Sequence, residues 1–223
     1  MQPALLQLRN VRKVYRRGLL DRVPAFSLEA GFSVDAPAVI GVMGPNGSGK
    51  TTLFELIAGS NMPTSGEVLV RGVNIHRVKY AERDRLAIHY HQSYQVRQFR
   101  RLWPSIMLQS ARSDYPLVHL FDEPQFNTSD GYIGFMLKFF RKLRREGRVV
   151  FICLHPNERY HVDIMREVCE RFIFVRQGTL THVDDWPTLM KLEPVRAYLG
   201  TLAEPFEGAA SGAPGALPAG NHS

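Results

Sequence analysis

The stretch Gly44-Pro45-Asn46-Gly47-Ser48-Gly49-Lys50-Thr51 constrains this chain more than any other, because it meets the pattern G-x-x-x-x-G-K-[ST] at every specified position. Ala38-Val39-Ile40-Gly41-Val42-Met43 before it is an apolar run that suits a buried strand, and Thr52-Leu53-Phe54-Glu55-Leu56-Ile57-Ala58 after it reads as a helix. A strand, a glycine-rich loop and a helix in that order make an anion cradle. Glycines let successive N–H groups turn inward, and the helix start adds the positive end of its dipole. The ligand expected there is a nucleoside triphosphate. Gly44, Pro45, Asn46, Gly47, Ser48, Gly49 and Thr52 wrap its phosphates, Lys50 reaches the outer ones, and the Thr51 hydroxyl ligates the accompanying Mg2+.

Strand and helix patterns alternate along the rest of the chain, which predicts an α/β fold with a largely parallel sheet. Leu5–Tyr15 and Phe26–Val34 read as two strands of a small antiparallel layer beside it. Pro63–Gly72 reads as turn, strand, turn, and Leu86–Gln92 as a strand. A helical run follows from Ser105 to Arg112, then a strand from Leu117 that ends in the acidic pair Asp122-Glu123. Helices are expected from about Tyr132 to Arg145 and from Glu158 to Glu170, with the strand Arg148–His155 between them. Arg171–Arg176 turns through Gln177-Gly178 into another strand, and a last helix runs from Pro187 through Tyr198. From about Glu204 the chain is Gly, Ala, Pro and Ser, too poor in large apolar groups to offset the entropy of ordering.

A length of 223 residues suits one domain. Its two cysteines, Cys153 and Cys169, give no disulfide framework or metal-ligand pairing and fit a reducing cytosol. No apolar run reaches the length of a membrane span, and the first residues lack a signal-peptide layout, so the expectation is a cytoplasmic protein that reaches a membrane only through a partner. The formal charge of +7 keeps nucleic acid in view as a less favoured partner.

The order of these motifs resembles the nucleotide-binding subunits of ABC ATPases, over roughly Leu5 to Leu180. Tyr15 ends the first strand where that family stacks adenine, GPNGSGKTTL matches its phosphate loop almost letter for letter, and Gln92 stands at the glutamine that senses the γ-phosphate and Mg2+. Asp122 and Glu123 match its acidic pair, and His155 its switch histidine. The resemblance implies a P-loop NTPase core with a mostly parallel sheet flanked by helices, an N-terminal antiparallel β layer and a truncated helical subdomain. It also implies ATP and Mg2+ as ligands. Residues 1–202 would form the ATPase domain, with 92–116 a shortened helical arm and 203–223 a disordered tail. Lys50, Glu123 and His155 would be catalytic, with Glu123 acting on the attacking water and His155 on the γ-phosphate. Thr51, Gln92 and Asp122 would hold the metal. Asp122 is expected at the tip of a strand neighbouring the phosphate-loop strand. His89 and His91 suggest a metal of their own, but no third ligand accompanies them.

The family completes its site with a Ser-Gly-Gly signature from an opposing subunit. No Leu-Ser-Gly-Gly-Gln occurs in this chain, Val96–Leu102 reads VRQFRRL where it should fall, and Gln125–Ser129 departs from the family's dimer-facing loop. The resemblance therefore implies an ATP-hydrolysing subunit of a membrane transporter whose signature comes from a second ATPase subunit, unless Arg97, Arg100 or Arg101 replaces it. A membrane-spanning subunit would be its other partner. The alternative is a nucleotide-dependent regulator of the same ancestry with weak hydrolysis, acting on protein or nucleic acid. A P-loop kinase fits less well, since it offers no place for Glu123 or His155.

Overall fold

Val39–Met43 is buried at every position, as a strand must be when both its faces are covered. The computed structural model describes residues 3–18, 23–90, 116–124 and 132–204. Its strands are Leu6–Arg17 (β1), Val23–Val34 (β2), Val39–Met43 (β3), Ser65–Val70 (β4), Val73–Asn74 (β5), Ala87–Tyr90 (β6), Val118–Asp122 (β7), Val149–Cys153 (β8), Arg171–Arg176 (β9) and Thr179–Val183 (β10). Its α-helices are Lys50–Ile57 (α1), Tyr80–Leu86 (α2), Tyr132–Arg145 (α3), Arg159–Val168 (α4), Trp186–Lys191 (α5) and Glu193–Leu199 (α6).

Six strands form one sheet in the order β10-β9-β3-β8-β7-β6, parallel except for the β9–β10 hairpin. Gln177 and Gly178 both take left-handed backbone in that hairpin, the turn whose twist matches its strands. The other four strands form an antiparallel layer in the order β2-β1-β4-β5, so it is built from β4 and β5 as well as from the N-terminus. One face of the parallel sheet packs on α3, α4 and the C-terminal helices, through Phe140, Leu143, Met165 and Leu189. The other packs on α1 and the antiparallel layer, through Leu53, Leu56, Leu6 and Val68. Gly41 allows the first contact to be close, since a Cβ there would lie 2.7 Å from the Met165 side chain.

Three departures from expectation have physical causes. The strand carrying Asp122 is not the neighbour of β3; β8 lies between them, pairing Val42 with Cys153 on one side and Asp122 with Cys153 on the other. Strand patterns report burial but not order within a sheet, so this could not be read locally. The last helix is two helices, because Leu192 is extended and Pro194 starts α6 afresh, its missing N–H tolerated only in a first turn. Helix α2 has no buried residue and hence no apolar period to announce it. The helical run at 105–112, almost all of the shortened arm at 92–116, the altered loop at 125–129 and most of the tail lie outside the described residues.

The β9–β10 turn is held close to β2: a Cβ on Gly178 would fall 1.8 Å from the Ser27 carbonyl oxygen, at a φ of 77°. Gly178→Ala is expected to destabilise the fold by about 2–3 kcal/mol in urea unfolding, because both the backbone and the contact are strained. An unchanged midpoint would mean that this turn does not fix the packing of the two layers.

Candidate nucleotide site

The loop after β3 curls because its glycines permit it. Gly44 has φ 147°, where a Cβ would meet the Val175 carbonyl oxygen at 2.0 Å, and Gly49 caps α1 in left-handed backbone at φ 111°. Ser48 N–H donates to the Pro45 carbonyl at 3.2 Å, closing the turn, and Gly178 N–H donates to the Ser48 carbonyl at 3.0 Å, clamping it from the β9–β10 side. The first helical bond is Leu53 N–H to Gly49 C=O at 2.9 Å, so the amides of Lys50, Thr51 and Thr52 have no acceptor within the helix. The Ser48 hydroxyl is buried with no partner among the described residues. Lys50 folds back over the loop, its ammonium donating to the carbonyls of Gly44 at 2.7 Å and Pro45 at 2.9 Å.

The two acids arrive from β7. Thr51 Oγ1 donates to Asp122 Oδ2 at 3.1 Å, and His89 Nε2 lies 3.4 Å from the same oxygen. Burial pushes the Asp122 carboxyl up, yet the His89 hydrogen bond and charge, with the hydroxyl of Thr51 and the thiol of Cys153, outweigh it and hold the group below its ordinary value. Cys153 sits opposite Asp122 at the end of β8, and burial followed by the Asp122 charge keeps its thiol protonated. Glu123 has a left-handed backbone, φ 50°, fixed by its N–H donating to the Cys153 carbonyl at 2.9 Å. Such backbone costs a non-glycine residue about 1–3 kcal/mol and is typical of functional sites.

Asn46, Gly47, Gly49, Lys50, Thr51, Thr52, Asp122 and Glu123 line one cavity of about 240 Å3, with Phe26 as a wall. A wider groove of about 650 Å3 opens on the antiparallel layer between Asn10 and the Pro63–Gly66 turn, and no residue singled out in the sequence lines it. His155 stands apart from the smaller cavity, its Nδ1 3.0 Å from the Tyr198 hydroxyl on α6. Tyr15 is 36% exposed, as a stacking platform must be. Its hydroxyl accepts from Asn61 Nδ2 at 2.7 Å and its ring lies 6.2 Å from that of Phe26. Gln92 falls outside the described residues.

Sequence reasoning missed Phe26, Tyr198 and the pairing of His89 with Asp122. The first is the cross-strand partner of Tyr15 in the β1–β2 pairing, which the two strand patterns contained. His89 pairs in register with Leu120, two positions from Asp122, and so shares its face of the sheet; only the register reveals this. Nothing local marks Tyr198.

A family model described as "ABC transporter" matches residues 29–160, more than half of the chain. The chain belongs to the ABC transporter family. Among curated members it is similar to the ABC transporter ATP-binding protein YxdL of Bacillus subtilis, 37% identical over 76 residues, which are 34% of this chain and 28% of that protein. It is also similar to the energy-dependent translational throttle protein EttA of Escherichia coli K12, 41% identical over 64 residues, 29% of this chain and 10% of that one. The matches thus span less than a third of these relatives. In fold the chain resembles ABC cassettes along nearly their whole length. The dimeric post-hydrolysis cassette MJ0796 bound to ADP and Pi has a TM-score of 0.59 at 17% identity, over 80% of this chain and 98% of that one. A nucleotide-free cassette from an ABC transporter has a TM-score of 0.61 at 16% identity, over 87% and 98%. The α/β core with its parallel and antiparallel sheets is the ABC cassette fold. Among the described residues no helix is long and apolar enough to cross a membrane.

Because the Asp122 carboxyl is held below its ordinary value near 3.8, the folded state keeps the charge at a pH where the unfolded chain takes up a proton. The stabilisation this gives is complete above that ordinary value and is lost as pH falls through the folded-state one. Asp122→Asn is expected to flatten the acid limb of stability against pH in the nucleotide-free protein, measured by urea unfolding from neutral pH into acid. Parallel limbs in the two proteins would contradict the assignment.

Proposed function

We propose that this chain binds Mg-ATP in the cavity between the α1 N-terminus and the β7 tip and hydrolyses it as the ATPase subunit of an ABC complex that serves a membrane transporter. The observation that carries this reading is the convergence of loop amides, Lys50 and both acids on one cavity. The residues fit the ligand. Three helix-start amides and a buried serine hydroxyl without partners among the described residues are donors suited to phosphate oxygens, and Lys50 exchanges two carbonyls for them. Tyr15, backed by Phe26, offers the adenine a ring face, a contact worth about 1–3 kcal/mol between bases and aromatic side chains.

Thr51 and Asp122 are the described residues that would hold Mg2+, with Gln92 expected to join them. The ion neutralises charge on the phosphate oxygens when bound. His89 keeps the Asp122 carboxylate oriented and ionised. Glu123 is held beside Thr51 and Asp122 by its left-handed backbone, where its carboxylate takes the proton of the attacking water, and His155 donates to the γ-phosphate. A trans signature stabilises transition-state charge, and a comparable group elsewhere is worth about 10³–10⁵ in rate. A partner bearing that signature is therefore required for fast turnover, unless Arg97, Arg100 or Arg101 supplies the charge.

The similarity to EttA, together with the formal charge of +7, favours a second reading in which the chain is a nucleotide-dependent regulator with weak hydrolysis. Salt-sensitive binding of RNA or DNA in fluorescence anisotropy would select it over the transporter subunit.

In assays with candidate partners, Lys50→Ala is expected to weaken ATP binding about 10–100-fold, the loss of a charge-assisted contact. Glu123→Gln is expected to lower turnover about 10²–10⁴-fold while leaving nucleotide affinity nearly unchanged. Equal turnover in wild type and both variants would reject hydrolysis at this site.

A further inference from the structure

We infer that Tyr198 is a positioning residue for His155, holding the imidazole at Nδ1 and fixing which ring nitrogen carries the proton. The inference rests on the reading of His155 as the γ-phosphate donor. The Tyr198 hydroxyl lies 3.0 Å from His155 Nδ1, with ring centroids 6.1 Å apart. In the proposed arrangement the phenol gives its single proton to His155 Nδ1. A neutral imidazole that accepts at Nδ1 carries its proton on Nε2, ready to donate from the opposite side of the ring.

Tyr198 is built to stay in place and to stay protonated. Val195 and Leu199 of α6 are buried, and the Tyr198 ring lies 5.9 Å from Phe174 at a tilt. Arg159, at the start of α4, donates to the carbonyls of Leu202 at 3.1 Å and Glu204 at 2.6 Å, tying the turn after α6 to the segment that follows His155. Burial, with Cys153 and then Glu123 nearby, pushes the phenol up to about 12, so it remains a donor at neutral pH.

The test is long-range proton–nitrogen NMR of the full chain labelled at histidine, without nucleotide, with the His155 signals assigned by their loss in His155→Gln. The expected result is a neutral His155 with its proton on Nε2 in wild type, and an Nδ1 signal that moves in Tyr198→Phe as the hydrogen bond disappears. Where ATP is turned over, Tyr198→Phe is expected to lower kcat about tenfold with KM within about twofold, since it removes one hydrogen bond felt only through the histidine. A proton on Nδ1 in wild type, or an Nδ1 signal unmoved in Tyr198→Phe, overturns the proposal. The wild-type measurement needs neither the variant to fold nor ATP to be hydrolysed. Absence of turnover would sink the ATPase reading while the tautomer still decides this one.

Discussion

The contact of 3.1 Å between the Thr51 hydroxyl and the Asp122 carboxylate is the constraint on which the rest of the site depends. It joins residues separated by 71 positions, across a strand that neither belongs to. A hydrogen bond to a charged group contributes about 1.5–3 kcal/mol, too little to hold two elements together unaided. The sheet does the holding. Fully buried β3, β8 and β7 fix the β3 and β7 tips at one end of the sheet with β8 between them, and the bond reports that their alignment places hydroxyl and carboxylate in reach.

That alignment needs support from both faces. The loop is stopped from collapsing by Val175 behind Gly44, by Phe26 and Leu28 behind Gly49, and by the Gly178 amide on Ser48. On the acid side, His89, Thr51 and Cys153 hold the Asp122 carboxyl below its ordinary value against the upward push of burial. His155, just after β8, lies in reach of Tyr198 on α6.

Much of this was legible in the sequence, for reasons that can be named. The β3–loop–α1 unit was readable because its chemistry is local: glycine positions, lysine, threonine and two apolar flanks all fall within about 20 residues. The apolar run ending in Asp122-Glu123 was readable because a strand buried on both faces has a continuous pattern. The insertion of β8 between β3 and β7 was not, since burial patterns carry no strand order. His89 could be placed only from the β6–β7 register, and its pairing with Asp122 replaces the thought of a separate histidine metal site. Tyr198 reaches His155 across 43 positions through a helix whose start depends on Pro194, a relation that no window of sequence contains.

The central claim is that the α1 tip and the β7 tip together bind a metal–nucleotide complex rather than a bare anion. Calorimetric titration of ATP into the chain with and without Mg2+, in wild type and in Thr51→Val, tests it most directly. Tighter binding with Mg2+ in wild type and no such gain in Thr51→Val is the predicted result. Equal affinity with and without the metal in the wild-type chain would contradict it.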